Sequence, residues 1–383
     1  MRILHITRNI PIKELPGNTI ILDLMDQLEN KNVEQKIIFP AEFIPSFPWL
    51  RGRAKIFSKF RGESTIRNKQ LYFLNFLRLP GKYSFILARV FYKNKKIKRF
   101  IDDIDCIHAH YILPDGLIAN NLARIKKLPY VITVRQGDID RINKLSSKSF
   151  ILDSYKKVLL EASEVISVNY SIKYFLLNKF NIHSKIIPHA VDKAIIQYKN
   201  DVSNNNINII TSAQFIKRKN IDWVINSCKL ISDKYNFKFH LTIVGEGPLD
   251  SYLRGLAAES NNIEIIGWLS KNKLLSKFAG SDVFIMPSEN ETFGMVFIEA
   301  AAKNCLIIGK KGTGVDGYFE NQKNAYFINS QTELTSILLE ILSGKINFRE
   351  ISKLGTKLVE TTMTWDAITE QYIEIYKRVC RNA

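Results

Sequence analysis

Two glutamates, Glu291 and Glu299, are separated by seven residues in the stretch Asp282–Ala300. Ionised carboxylates are acceptor-only groups, and each can take hydrogen bonds from two adjacent hydroxyls, as a sugar or ribose presents them. Between them lies Thr292-Phe-Gly-Met. If a helix starts near Gly294, the amides of Phe293, Gly294 and Met295 point out of its N-terminus and offer a site for phosphate. Gly294 lets a ligand approach the backbone closely. The chemistry that these residue types suit is recognition of a sugar joined to phosphate.

Such residues act only if strands and turns aim them. The apolar run ending at Pro287 reads as a buried strand that stops just before the pair. Further strands are expected at Arg2–Thr7, Glu34–Phe39, Asp105–His110, Tyr130–Arg135, Glu164–Val168 and Lys185–Pro188. After a polar break at Asn200–Asn206, the rhythm resumes at Ile207–Ala213, Phe239–Gly245, Ile263–Gly267, Val283–Met286 and Cys305–Ile308. Helical stretches such as Thr19–Asn30 and Ile221–Ser232 separate the strands. Strands alternating with helices imply parallel β/α units with both sheet faces covered. A chain of 383 residues with 46% apolar side chains suits two such domains. Ligands then bind beyond the carboxyl ends of the strands.

The segment around Glu291 and Glu299 resembles the signature of the retaining glycosyltransferases of family 4, which have the GT-B fold. Four further blocks strengthen the resemblance. Val244-Gly-Glu-Gly-Pro is similar to the family's turn after a C-domain strand, and Ile266-Gly-Trp to its next strand end, near the nucleobase. His108-Ala-His-Tyr-Ile-Leu-Pro-Asp-Gly116 resembles an N-domain block, and Ile187-Pro-His-Ala-Val-Asp192 the interdomain linker. Trp365–Arg378 resembles the closing helix. The resemblance implies two Rossmann-like α/β domains facing each other across a cleft. Residues 1–190 would bind the acceptor, residues 191–364 the nucleotide-sugar, and residues 365–383 would cross back to the N-domain. It further implies that Glu299 binds ribose, Glu291 the donor sugar and Lys219 the diphosphate, with Gln214, Arg218, Gly245, Trp268, Phe293, Gly294 and Met295 around the donor. Asp138, Arg135 and Lys219 would serve the chemistry, and Gly17 and His110 the acceptor. Gln214 stands where the family has Arg, Arg135 where it often has His, and Gly17 where it often has paired glycines. The implied reaction moves a hexose from a UDP- or GDP-sugar to a saccharide acceptor on a lipid carrier, with retention, during assembly of a bacterial surface polysaccharide.

Other chemistries find weaker support. Asp103-Ile-Asp105 and Asp138-Ile-Asp140 match a DxD metal pattern. The first precedes a strand, where a turn or cap suits it better, and no essential metal or other cofactor is expected. His108 and His110 alternate on a strand and could share a zinc, but no third ligand is evident. His110 is expected as a polar residue open to ligand, with His108 packed. Gly245-x-Gly247 has Asp250 at the third position of a dinucleotide-binding fingerprint, which disfavours a nicotinamide enzyme. An epimerase of the same fold lacks evident acid–base motifs.

Cys106, Cys228, Cys305 and Cys380 are far apart, with no CxxC pair, which fits a reducing cytoplasm. The N-terminus does not read as a signal peptide, and the nearest apolar span, Leu71–Tyr92, is broken by Arg78, Lys82 and Arg89. The net charge of +18 is concentrated at Arg51–Arg99, with fifteen basic residues against Glu63. A localised basic field implies an anionic partner. Trp49, Ile56, Phe57, Phe60, Phe73, Phe76, Phe85, Ile86 and Phe91 interleave with the charges, and Ile56, Phe57 and Phe60 would share one helical side. That pattern favours an anionic membrane surface on the cytoplasmic side over nucleic acid, for which no binding motif is present.

Overall fold

The computed structural model describes residues 1–12, 15, 17, 19–44, 49, 51–76, 95–146, 149–200, 206–235, 237–258 and 260–382. Pro16, most of the polar break Asn200–Asn206, and the stretch 77–94 with Arg78, Lys82, Phe85, Ile86, Arg89 and Phe91 lie outside them.

The chain divides into two compact units. Unit 1 comprises Met1–Val168, Ile172–Ile187 and Thr369–Ala383; unit 2 comprises Asn169–Ser171 and Pro188–Ile368.

Unit 1 opens with β1 (Arg2–Ile6), α1 (Ile20–Asn30), β2 (Glu34–Glu42), α2 (Gly52–Ser58), β3 (Gly62–Ile66), β4 (Lys69–Phe76) and α3 (Lys95–Phe100). It continues with β5 (Cys106–Ala109), α4 (Leu117–Lys126), β6 (Tyr130–Val134), α5 (Gln136–Asn143), α6 (Phe150–Leu160), β7 (Glu164–Ser167), α7 (Tyr170–Phe180) and β8 (Lys185–Ile186). The eight strands run β3-β4-β2-β1-β5-β6-β7-β8, and all pairs are parallel except β3 with β4. Every residue of β5 and β6 is buried, as expected for strands covered on both faces. The order reverses between β1 and β5.

Unit 2 contains β9 (Ile207–Ser212), α8 (Ile221–Lys234), β10 (Phe239–Val244), α9 (Asp250–Ala257), β11 (Ile263–Ile266), α10 (Lys271–Ala279) and β12 (Val283–Met286). Then follow α11 (Met295–Ala302), β13 (Leu306–Lys310), β14 (Tyr326–Ile328), α12 (Gln331–Leu342) and α13 (Phe348–Thr362). Its six strands are all parallel, in the order β11-β10-β9-β12-β13-β14. Here the reversal falls between β9 and β12. The chain ends in α14 (Trp365–Arg381), whose residues from Thr369 onward pack with unit 1. In a doubly wound sheet the strand ends at the reversal point are where a ligand sits, so Thr7 and His110 in unit 1, and 213–219 and 287–294 in unit 2, hold the privileged positions.

The basic segment differs from its sequence reading. Gly62–Phe76 is a β-hairpin that extends the sheet, not part of an amphipathic surface. The short α2 turns Phe57 inward, and Phe57, Phe60, Phe73 and Phe76 are each no more than 2% exposed. The Phe60 and Phe73 rings stack at 4.7 Å, and Phe39 meets both edge-on. Phe57 and Phe60 therefore do not form a membrane-entering face; they belong to the core under β2 and β4. Trp49 is 71% exposed, and Lys55, Lys59 and Arg61 are exposed. Arg61 lies over the Phe43 ring at 4.4 Å and donates to the Ile44 carbonyl. Among the described residues, no helix is long and apolar enough to cross a membrane.

Candidate functional site

In unit 2, the tips of β9 and β12 bring the basic run against the acidic loop. The turn Lys217–Lys219 places Lys219 so that its ammonium donates to Glu291 Oε2. Ser288 Oγ donates to the same oxygen at 3.2 Å, and Arg218 NH1 stands 3.7 Å from it. Backbone bonds lock the two loops together: Glu289 N–H donates to the Arg218 carbonyl at 2.8 Å, and Asn220 Nδ2 to the Pro287 carbonyl at 3.0 Å. Gly314 N–H holds the Glu291 carbonyl at 3.0 Å from the next strand's loop.

Gly294 forms the N-terminal boundary of α11 with φ +76. A Cβ there would lie 2.8 Å from the Phe297 ring and 3.1 Å from Glu291 Cγ, so the position accepts glycine for both backbone and space. Phe293 is 1% exposed, its ring against His189 and Tyr318. It can offer a ligand its backbone, while its side chain anchors the loop. Met295 is half-buried at the first turn.

Beside this cluster, at the ends of β9 and β10, a cavity of about 750 Å³ is lined by Gln214, Gly245, Trp268 and Val296 among others. Gly245 lies so close to the Ala213 carbonyl that a Cβ would sit 2.0 Å away. Trp268 is 69% exposed on the cavity wall. Glu299, one turn along α11, is 7% exposed and pairs with Lys271 at 3.5 Å. Burial pushes its carboxyl above the usual range, and Lys271 opposes the shift.

In unit 1, Arg135 ends β6 and begins α5. Asp138 is fully buried: Oδ1 accepts from the Ile112 amide at 3.1 Å and Oδ2 from the Arg135 amide at 3.2 Å. Burial pushes this carboxyl up to about 7. Asp138 thus ties the loop after β5 to the start of α5. The Arg135 guanidinium lies 5.9 Å over the Tyr111 ring, and Tyr111 Oη accepts from Asn9 Nδ2 at 2.6 Å. Gly17 is exposed and fits flush on the Ile10–Pro11 backbone, where a Cβ would lie 2.2 Å from Ile10 C.

His110 is not the open polar residue expected from the sequence. It is fully buried, and its Nε2 lies 2.9 Å from His5 Nδ1. His5 in turn bonds Gln35, while His108 is held by Tyr376 Oη at 2.7 Å and Thr133 Oγ1 at 2.8 Å. A third histidine, His5, therefore joins the two seen in sequence, and the candidate ligand atoms lie within 4.8 Å of one another. Each His108 nitrogen already bonds a hydroxyl, so the cluster is wired as a hydrogen-bond network. Burial lowers the pKa of all three rings, His5 to about 4.

Comparison with known proteins follows the same division. Residues 17–194 match the family model described as Glycosyltransferase Family 4, and residues 192–357 match that of Glycosyl transferases group 1. The chain belongs to the family 4 glycosyltransferases. It is 23% identical over 339 residues to the putative teichuronic acid biosynthesis glycosyltransferase TuaC of Bacillus subtilis, covering 83% of each chain. It is 25% identical to the capsular polysaccharide biosynthesis glycosyltransferase CapH of Staphylococcus aureus, covering 71% of this chain and 77% of that one. The fold matches Anabaena HepE in complex with UDP at a TM-score of 0.71 and 15% identity, over 99% and 100% of the chains. The glycosyltransferase has the GT-B fold, with two parallel-sheet domains.

Within this glycosyltransferase the fold gathers Arg218, Lys219, Glu291, Gly294 and Met295 into one cluster, and Gln214, Gly245 and Trp268 around the adjoining cavity. Arg135 and His110 lie at strand ends of unit 1 and Asp138 in the first turn of α5, with Asp138 and His110 sealed from solvent. The DxD aspartates are otherwise engaged. Asp103 pairs with Arg2 and Lys36, Asp105 accepts from the Arg2 amide at 2.7 Å, and Asp140 accepts from Gln136 at 3.0 Å. Sequence reasoning missed His5, Tyr376 and Lys271. A histidine inside a five-residue buried strand was the available signal for His5; nothing local marked the other two.

Proposed function

We propose that this glycosyltransferase moves a hexose from a UDP- or GDP-sugar to a saccharide acceptor on a lipid carrier, with retention, in assembly of a bacterial surface polysaccharide. The observation that carries the reading is the convergence of Lys219, Arg218 and Ser288 on Glu291 beside the start of α11. A diphosphate there would meet two cations and the positive end of a helix. Glu291 would turn to the donor sugar, and Glu299 would accept from the ribose hydroxyls. The adjoining cavity and Trp268 suit a nucleobase in size and in aromatic surface. As the glycosidic bond breaks, Lys219 and the helix amides would hold the charge gathering on the phosphate. No protein-bound metal or other cofactor enters this scheme.

The named roles of TuaC and CapH in teichuronic acid and capsule synthesis, and UDP in HepE, support the pathway and the donor class. For the cytoplasmic, membrane-facing placement, the membrane-facing part is supported by exposed Trp49, Lys55 and Lys59 in unit 1, without the Phe57 and Phe60 face. The test is a thermal-shift panel of UDP-, GDP- and ADP-hexoses, followed by turnover and NMR of the product's anomeric carbon. A ligand of the folded state raises the melting point according to its affinity. The reading expects one donor to stand out and to transfer with unchanged configuration. An inverted product, or release of free sugar isomer without acceptor, overturns it.

A further inference from the structure

The four cysteines are distant in sequence, yet the fold sets two of them side by side. Cys106 is the first residue of β5, and Cys380 lies at the end of α14. Their side chains are near enough for each thiol to shift the titration of the other. Cys380 Sγ also lies 3.6 Å from the carbonyl oxygen of Asp105, the residue before Cys106. Cys106 is fully buried, whereas Cys380 is partly exposed on the wall of a cavity of about 430 Å³. Met1, Lys127, Lys377 and Arg381 line the same cavity, with Asp105 as its one acidic residue. Cys228 and Cys305 are buried in two separate cores of unit 2.

A reactive thiol needs solvent access, nearby positive charge and a second sulfur to resolve its oxidised form. Cys380 has all three. The neighbouring Cys106 thiol draws the Cys380 thiol below its ordinary range; the N-terminal ammonium adds to the effect, while partial burial and Asp105 oppose it. The same neighbour, with burial, pushes Cys106 up. The roles are therefore unequal: one sulfur meets the oxidant and the other waits behind it.

We infer that Cys380 and Cys106 form a peroxide-responsive pair that closes into a disulfide. The Cys380 thiolate attacks the outer oxygen of a hydroperoxide. An S–O bond forms, the O–O bond breaks, and the alcohol (or water) leaves with the proton. Cys106 sulfur then attacks the Cys380 sulfenic acid. The S–S bond forms, the S–O bond breaks, and water leaves with the Cys106 proton. Two thiols lose two electrons, and the peroxide gains them. The product joins the last helical turn of the chain to the head of β5.

The full-length protein is treated with hydrogen peroxide at equimolar and modest excess, and read by intact mass and tryptic mapping under non-reducing conditions. The wild type should lose two hydrogens and yield the peptide Phe100–Arg124 joined to Val379–Arg381. Dithiothreitol should reverse the change, and the oxidised form should melt at a higher temperature than the reduced one. Cys106→Ser should instead trap a sulfenic acid at Cys380 that reacts with dimedone. Should Cys106→Ser fail to fold, Cys106→Ala serves the same purpose. Cys380→Ser, at a partly exposed site, should leave Cys106 unoxidised. The inference is overturned if the joined peptide is absent, if it forms only after denaturation, or if Cys228 and Cys305 oxidise as fast as Cys380.

Discussion

Lys219 donates its ammonium to Glu291 across the tips of β9 and β12, joining two loops whose sequences lie 72 residues apart. The resting site therefore satisfies each charge with the other. In the proposed scheme a diphosphate would draw Lys219 away, which would free Glu291 for the sugar at the same moment.

This coupling makes the two acids of the site fail differently. Glu291→Gln should leave UDP or GDP binding unchanged or tighter, because Lys219 loses its competitor, while weakening the intact donor about tenfold. Glu299→Ala should weaken nucleotide and donor alike, also by about tenfold, the loss of one charge-assisted hydrogen-bonding group. Lys219→Ala should lower kcat by about 10²-fold or more. Calorimetry with nucleotide and with sugar-nucleotide, and steady-state kinetics, decide it. Equal loss of free nucleotide in both acid variants would remove the assignment of ribose to one and hexose to the other.

Turnover should survive chelation. If Lys219, Arg218 and the start of α11 hold the diphosphate as proposed, EDTA is expected to leave kcat within about twofold of the untreated enzyme, since preorganised cations can supply the electrostatic role of a metal. Complete loss in EDTA, restored by Mn²⁺, would assign the charge-neutralising role to a metal instead.

Unit 1 should become acid-labile through its histidines. His5 titrates near 4 in the folded protein, against about 6.5 in an unfolded chain. As pH falls through that window the unfolded chain takes up the proton first. The stability from keeping this ring neutral is complete above about 6.5 and is lost progressively toward 4. The shift corresponds to roughly 3 kcal/mol at about 1.4 kcal/mol per pH unit. Asp115 and Asp138, whose carboxyls burial moves upward, act in the opposite sense. Comparing wild type with His5→Gln cancels them. Urea unfolding from pH 4 to 7 should show a shallower pH dependence in the variant, by close to one proton. Parallel curves would show that His5 is not held neutral.

The phenylalanines of the basic segment should behave as core. Phe60→Ala is expected to cost about 3–5 kcal/mol, because it removes a ring stacked on Phe73 and leaves a cavity. Lys55→Glu with Lys59→Glu should cost under about 0.5 kcal/mol, as exposed substitutions do. Chemical denaturation measures both. A Phe60 variant of unchanged stability would return that ring to the surface.

The meeting of Lys219 and Glu291 beside α11 was legible because its parts are local or carry strong signals. The strand ending at Met286, the glycine before α11 and the basic run after β9 each declare themselves within ten residues. Strand alternation likewise gave the two parallel-sheet domains. The hairpin Gly62–Phe76 was not legible, because aromatics close to basic residues suit a sheet strand as well as an amphipathic surface, and only pairing with β2 decides. His5 was missed for a different reason. It meets His108 because β1 pairs with β5 in register, and no local pattern encodes the partner of a parallel strand. Cys106 and Cys380 are a still longer case, since a helix at the far end of the chain makes that contact.

The return of α14 to unit 1 has a consequence for how the protein is made. His108 in the middle of the unit 1 sheet takes its hydrogen bond from Tyr376, 268 residues later. Arg378 likewise reaches Glu164 on β7. On a ribosome, the first unit emerges long before these partners are synthesised, and waits through the whole of the second with one nitrogen of a buried histidine still lacking its Tyr376 partner. Its completion is postponed until the second unit has been made as well. A chain stopped short of Thr369 would thus impair the half that was made first, and a peptide supplying 369–382 is the piece that half would need in order to be expressed alone.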